Sequence, residues 1–135
     1  MEYQFNDNFL WGAASSGPQS EGTFPGDGKA EMEWDYWFKQ VPEQFFDGVG
    51  PSVTSDFYHK YKEYAKLMKE IGMNSYRTSI QWSRIFKDRE GTVNEEGVTF
   101  YQAVIDEFLS QGIEPVICLH HFDMPMYWME KGGFE

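Results

Sequence analysis

An α/β protein built on a parallel sheet is the fold class this 135-residue chain predicts, and three observations carry the prediction. Short apolar runs of strand length alternate with stretches whose apolar residues recur every three or four positions. The third of these runs is almost wholly apolar, the pattern of a strand covered on both faces. Each run ends in or leads into a polar cluster, and a parallel α/β protein builds its site at the carboxyl ends of its strands.

The elements follow in order. Phe9 to Ala14 is apolar and punctuated by Gly12, which predicts a first buried strand. Ser15 to Gly28 is rich in Gly, Ser and Pro and predicts a loop. Trp34-Asp35-Tyr36-Trp37-Phe38 reads as a helical turn closed by Pro42, and Gly48-Val49-Gly50-Pro51 as a break. Ser55 and Asp56 are candidate N-caps for a helix whose inner face is Phe57, Tyr61, Tyr64, Met68 and Ile71. Gly72 follows as the C′ residue. Asn74 to Ile80 predicts a second strand. Asn94, with Glu95 and Glu96 in the first turn, opens a second helix with inner face Val98, Tyr101, Ile105 and Phe108, ended by Gly112. Glu114 to Leu119 is the third strand. Strands alternating with helices argue for crossover units and a parallel sheet. About three strands and two main helices make the N-terminal part of a (β/α)8 TIM barrel, since a complete one needs roughly 250 residues. The third strand ends sixteen residues before Glu135. Residues 1–135 therefore read as one portion of a single barrel domain, truncated and expected to be poorly soluble because its sheet edges stay open.

Composition excludes several classes. Hydrophobic residues at 41% are too many for a disordered chain. A net charge of −11 argues against nucleic acid and anionic membrane surfaces as partners, although a small anionic substrate needs only a local basic pocket. Cys118 stands alone, so no intrachain disulfide forms, and its apolar setting reads as a structural thiol. No basic leader precedes an apolar stretch, and the chain reads as cytoplasmic. Aromatic residues at 19% serve cores, but they also stack on sugar rings.

Five side chains stand out. Gln19 follows the first strand, and its amide, both donor and acceptor, suits adjacent sugar hydroxyls; the alternative is a turn satisfying its own backbone. Arg77 lies within the second strand, where burial demands a carboxylate partner, whether a structural salt bridge or an acid of the site. Arg84 reads as a loop anchor. His120 and His121 follow the third strand, where alternation sends one inward and one outward. Adjacent histidines that point apart do not share an ion, and His59 offers no matching spacing, so no metal or other cofactor is expected. A neutral imidazole binding a sugar hydroxyl, or a satisfied core histidine, are the readings left open. No Ser-His-Asp set or phosphate-cradling glycine loop occurs.

Taken together, Phe9-Leu10-Trp11-Gly12 with Gln19-x-Glu21-Gly22, Asp56-Phe57-Tyr58-His59-Lys60-Tyr61, Tyr76-Arg77-x-Ser79-Ile80-x-Trp82-Ser83-Arg84-Ile85, and Gly112-Ile113-Glu114-Pro115 with His121-Phe122-Asp123-x-Pro125 resemble the amino-terminal part of glycoside hydrolase family 1. The resemblance spans nearly the whole chain. It implies a retaining β-glycosidase on a (β/α)8 barrel, with Gln19 and His121 binding hydroxyls of the non-reducing sugar. Arg77 would hold a nucleophilic glutamate in place and keep it ionised. The family usually carries Trp after this histidine; Phe122 keeps an apolar ring against the substrate but lacks the indole N–H. Ala14 to Gln19, Glu33 to Phe38 and His120 to Pro125 look most like the 6-phospho-β-glucosidases of that family, which implies a small-molecule β-glucoside, 6-phosphorylated, as substrate. The alternatives are a β-glucosidase or β-galactosidase acting on free sugars, a non-catalytic sugar-binding module, and a fragment without function. By the same resemblance the catalytic glutamates lie in Asn-Glu-Pro and Glu-Asn-Gly segments. Neither occurs here, so the chain by itself is expected to be catalytically silent.

Overall fold

A computed structural model describes residues 3–135. Its elements are β1 (Gly12–Ala14), α1 (Gly17–Ser20), α2 (Glu33–Gln40), two 3-10 turns (Pro42–Gln44 and Phe46–Gly48), α3 (Phe57–Glu70), β2 (Ser75–Ser79), α4 (Trp82–Ile85), α5 (Glu95–Ser110), β3 (Glu114–Cys118) and α6 (Met126–Met129). The strands form one parallel sheet in the order β1-β2-β3. The register sets Ala14 beside Arg77 and Arg77 beside Val116.

The long helices α3 and α5 pack on each other and on one face of this sheet. Between them lie Phe57, Ala65, Tyr76, Phe100, Tyr101, Val104, Phe108 and Ile113. Phe108 stacks on Phe57 at 6.2 Å and on Tyr76 at 5.1 Å between ring centroids. Side chains alternate along a strand, so with Tyr76 on the helix side Arg77 faces the other way. That alternation puts an apolar ring into the core and a guanidinium at the site. Because Phe108 is fully enclosed, Phe108→Ala is expected to cost about 3–5 kcal/mol of folding stability, measured by urea denaturation. A loss below about 1 kcal/mol would mean the ring is not central to this core.

Both long helices stop the same way. Gly72 and Gly112 take positive φ (85° and 70°), a conformation glycine adopts without steric cost. After α3, Gly72 N donates to Lys69 O and Met73 N to Met68 O; after α5, Gly112 N donates to Leu109 O and Ile113 N to Phe108 O. These are Schellman closures, and the second tucks Ile113 fully into the core.

Several expectations need correcting. The first strand is Gly12–Ala14 rather than Phe9 to Ala14. Phe9 and Trp11 instead pack with Phe5 in an aromatic cluster with centroids 4.7–4.8 Å apart. The Asn74 side chain stands in for the sheet there, accepting from Trp11 N and donating to Phe9 O. The turn at Trp34 is a two-turn helix, α2. In α3, Ile71 is 70% exposed at the C-cap, and Ala65, too small to mark a periodic stripe, is buried in its place. In α5 the buried stripe is Gly97, Phe100, Tyr101, Val104 and Phe108, so Val98 and Ile105 lie only at its margin. Neither Asp56 nor Asn94 caps through its side chain: Asp56 pairs with His59, and Asn94 donates to Arg84 O. β3 is not covered on both faces; Val116 is 44% exposed, because it lies beside Arg77 on the face of the sheet turned away from α5.

Candidate active site

The site grows from the carboxyl ends of β1, β2 and β3. After β1 the chain is pinned to β2: Ser15 N donates to Arg77 O (2.8 Å), and Gly17 N donates to the buried Ser79 Oγ (2.8 Å). Pro18 opens the single helical turn α1, where the missing N–H of proline costs nothing. Gly17 has to be glycine, since a Cβ there would run into the Gln81 side chain. The turn buries Ser16 and Ser20 and leaves Gln19 exposed. Ser16 Oγ donates to Gln19 Oε1 (2.8 Å), which fixes the amide while its nitrogen keeps no partner among the described residues.

After β3 the chain makes a second rigid turn. Phe122 sits at φ 53°, in the left-handed region that a bulky residue rarely adopts. Asp123, fully buried, holds the turn: one carboxylate oxygen accepts from His121 N at 2.7 Å and the other from Trp82 N. Burial pushes the Asp123 carboxyl up, and the two backbone donors together with His120 and His121 draw it back part of the way. The turn leaves the Phe122 ring 62% exposed. His121 Nδ1 lies 3.4 Å from Arg77 Nη2, and Arg77 Nη1 donates to Ser15 O at 3.0 Å.

The strand-alternation argument for the histidines fails in its premise, because β3 ends at Cys118 and both lie in the turn. They still diverge. His121 faces the cleft, and His120 turns its ring edge to Trp82 and Phe134. Cys118 Sγ donates to His120 O, so the half-buried thiol has a structural contact. Among the described residues no group of three or more His, Cys, Asp or Glu is placed to hold a metal ion, and no helix is long and apolar enough to cross a membrane.

Gln19, His121 and Phe122 share one cleft of about 480 Å³, floored by Pro18 and walled by Trp34. No carboxylate lines it among the described residues. Arg77 stands behind His121. It is half-buried, and no carboxylate approaches it within ion-pair distance among the described residues, so the structural salt bridge is not what it makes here.

The buried, carboxylate-paired arginine is Arg84. Its side chain is 0% exposed and donates to Glu21 Oε2 (2.8 Å), Asp27 Oδ2 (2.9 Å) and Gly22 O (2.9 Å), with Tyr58 ring-on at 4.3 Å. Gln81 Nε2 and Tyr101 Oη also donate to Glu21. Burial pushes the Glu21 carboxyl up, with Arg84 pulling against it. At Asp27 burial pushes up too, but the Lys29 and Phe24 backbone donors and Arg84 outweigh it, and the carboxyl lies below its ordinary value. Arg84 is thus the loop anchor expected, whereas Glu21 serves the interior and not the cleft. One carboxylate pair and a guanidinium clamp the loop that carries Gln19 onto α4 and α5.

A site assembled at the carboxyl ends of parallel strands, with a side-chain amide and an imidazole facing a cleft walled by aromatic rings, belongs to a barrel enzyme class. Residues 1–135 match the model for glycosyl hydrolase family 1 along their whole length, and the chain belongs to that family. It is 49% identical over 133 residues to 6-phospho-beta-glucosidase GmuD of Bacillus subtilis (strain 168), covering 98% of this chain and 29% of that protein. It is 43% identical over 131 residues to Beta-glucosidase A of Acetivibrio thermocellus, covering 97% and 29% respectively. Among solved structures it superposes on the psychrophilic beta-glucosidase BglU from Micrococcus antarcticus with a TM-score of 0.89 and 37% identity, covering 97% of this chain and 28% of that one. On aphid myrosinase the TM-score is 0.88 at 32% identity, with 97% and 29% covered. The chain therefore spans under a third of the length of these relatives and forms the N-terminal strands of their barrel.

Proposed function

We propose that residues 1–135 are the sugar-binding first part of a single-barrel, retaining β-glycosidase that hydrolyses small β-glucosides, 6-phosphorylated ones above all. The observation that carries this reading is the convergence of Gln19, His121 and Phe122 on one cleft with Arg77 directly behind. The Gln19 amide spans two neighbouring hydroxyls, the His121 imidazole binds a third, and the Phe122 ring lies against the apolar face of the sugar. Arg77 turns a fixed positive charge toward the place a carboxylate must occupy. Retention requires two carboxyl groups ~5–5.5 Å apart, one a nucleophile and one an acid/base. The cleft has neither among the described residues, so both come from barrel strands outside residues 1–135. The phosphate preference is supported by the 49% identity to a 6-phospho-beta-glucosidase, and a cytoplasmic location belongs to the same reading, since phosphorylated sugars are intracellular substrates. The 43% identity to a beta-glucosidase favours, as the second reading, hydrolysis of free β-glucosides.

The test is hydrolysis of 4-nitrophenyl β-D-glucoside and of its 6-phosphate by the full-length protein and by the 135-residue chain. The full-length protein is expected to prefer the phosphate, and the 135-residue chain to release no nitrophenol. Preference for the free glucoside would establish the second reading, and turnover by the short chain would refute the division of labour. Phe122→Trp, which supplies an N–H to the sugar, is expected to raise kcat/KM about three- to tenfold, as one added neutral hydrogen bond allows. An unchanged value would mean that this ring does not touch the substrate.

A further inference from the structure

Ser16 and Gln19 stand at the N-cap and third positions of α1. At that spacing a serine and a glutamine ordinarily cap a helix by bonding its first backbone N–H groups. Here the Ser16 side chain makes no such bond. Its hydroxyl, fully buried, donates instead to Gln19 Oε1 at 2.8 Å. What Ser16 gives the fold comes from its main chain: Ser16 O accepts from Ser20 Oγ at 2.7 Å and from Gln19 N at 3.2 Å. The hydroxyl therefore serves the cleft rather than the helix. Both residues line that cleft, Ser16 from beneath and Gln19 as the exposed side chain.

The bond does two things to the amide. An exposed glutamine samples several rotamers, and ordering it when a ligand binds costs entropy. Ser16 orders it in advance. The bond also chooses between the two ends of the amide. A buried hydroxyl hydrogen needs an acceptor, and Gln19 Oε1 is the one it has among the described residues. With the amide turned round, N–H groups would face the hydroxyl, and its hydrogen would be left buried without an acceptor.

We infer that Ser16 is a positioning residue for the sugar: it holds the Gln19 oxygen inward, so that the two N–H donors of the amide face the cleft and are given to sugar oxygens. Ser16 itself acts through Gln19 and not on the reacting atoms. The inference rests on the β-glycosidase reading above and deepens it, because it makes Gln19 a donor in the cleft and traces that part to a neighbour three residues away.

The experiment measures kcat/KM of the full-length protein on 4-nitrophenyl β-D-glucoside, in the free or 6-phosphorylated form that the wild type hydrolyses, for Ser16→Ala, Gln19→Ala and the double variant. Ser16→Ala is expected to lower the value about three- to tenfold, the worth of one neutral hydrogen bond. In the Gln19→Ala background the same change is expected to matter by less than about twofold, because the residue it acts through is gone. The same loss in both backgrounds would show that Ser16 only shapes the turn and would overturn the inference. Ser16→Cys fills nearly the same space with a weak donor and is expected to follow Ser16→Ala. Wild-type activity in Ser16→Cys would show that the space and not the hydrogen bond matters, which also overturns it. A wild type that hydrolyses no β-glucoside at all would bring down the functional reading and this role together. An active wild type whose Ser16→Ala variant keeps its full kcat/KM would bring down the role alone.

Discussion

Arg77→Met in the full-length protein is expected to lower kcat/KM for β-glucosides by about 10²- to 10³-fold, the scale on which one preorganised electrostatic contact counts. Two causes add. A carboxylate beside a fixed guanidinium has its pKa lowered, and removing the charge lets that pKa rise. Less of the nucleophile is then ionised at neutral pH, so the acidic limb of the kcat/KM profile moves to higher pH. The second cause is positional. Arg77 ties Ser15 O at 3.0 Å and lies 3.4 Å from His121 Nδ1, so its loss loosens both sides of the cleft. Arg77→Lys keeps the charge without the planar fork. It should restore the acidic limb toward its wild-type position while recovering only part of the rate. If Arg77→Met left the acidic limb in place, Arg77 would act on the geometry of the cleft alone and the nucleophilic carboxylate would lie elsewhere. Asp123→Asn offers a separate check, because Asp123 acts through the turn that carries His121 and not through the nucleophile. It is expected to raise KM without moving the acidic limb, and a shifted limb would refute that role.

The parts of this molecule that were legible in the sequence are those with a local cause. Gly72 and Gly112 announce the helix ends because each stands where a left-handed residue is needed, and the structure closes both helices there. The run Asn74 to Ile80 marks the second strand, and the structure places it at Ser75–Ser79. The run Phe9-Leu10-Trp11 misleads because an apolar stretch has the same composition in a strand as in an aromatic cluster; only the long-range Asn74 bonds decide between them. The site divides in the same way. Gln19 and His121 stand out by their place after strands and Phe122 by the family resemblance, and the structure sets all three on one cleft. Glu21, two residues from Gln19, gives no local sign that it turns inward, because its partners are 60 to 80 residues away in sequence. A strand arginine invited a search for an acid, but the arginine that has acids is Arg84, on a short helix whose burial depends on α5 closing over it. Gly97 was the available signal: a Cβ there would strike the Arg84 carbonyl, so a glycine in the first turn of an otherwise good helix marks the place where something passes close.

Arg84→Met should be among the most destabilising single changes in the chain, by about 3–5 kcal/mol, because breaking a buried ion pair leaves its partners charged and uncompensated. Here two partners are stranded, Glu21 and Asp27, both buried. The dependence on pH follows from the signs. Asp27 lies below its ordinary value of 3.8 in the folded protein, so it contributes stability above that pH, which is lost as the pH falls through its folded value. Glu21 lies above its ordinary 4.5, so it opposes folding as the pH rises past 4.5 through its folded value. Without Arg84 both carboxyls lose their cation and rise further. The cost of Arg84→Met should therefore be greatest near neutral pH and shrink as the solution is acidified below about 4, where both acids take up protons. Adding Glu21→Gln to Arg84→Met removes one stranded charge and is expected to recover part of the loss at pH 7, with little further gain at low pH. Urea denaturation of the four proteins of this cycle at pH 7 and pH 4 measures all of it. A cost that stays the same at both pH values would mean that Arg84 acts by filling space beneath Tyr58 and Phe100, not by neutralising charge.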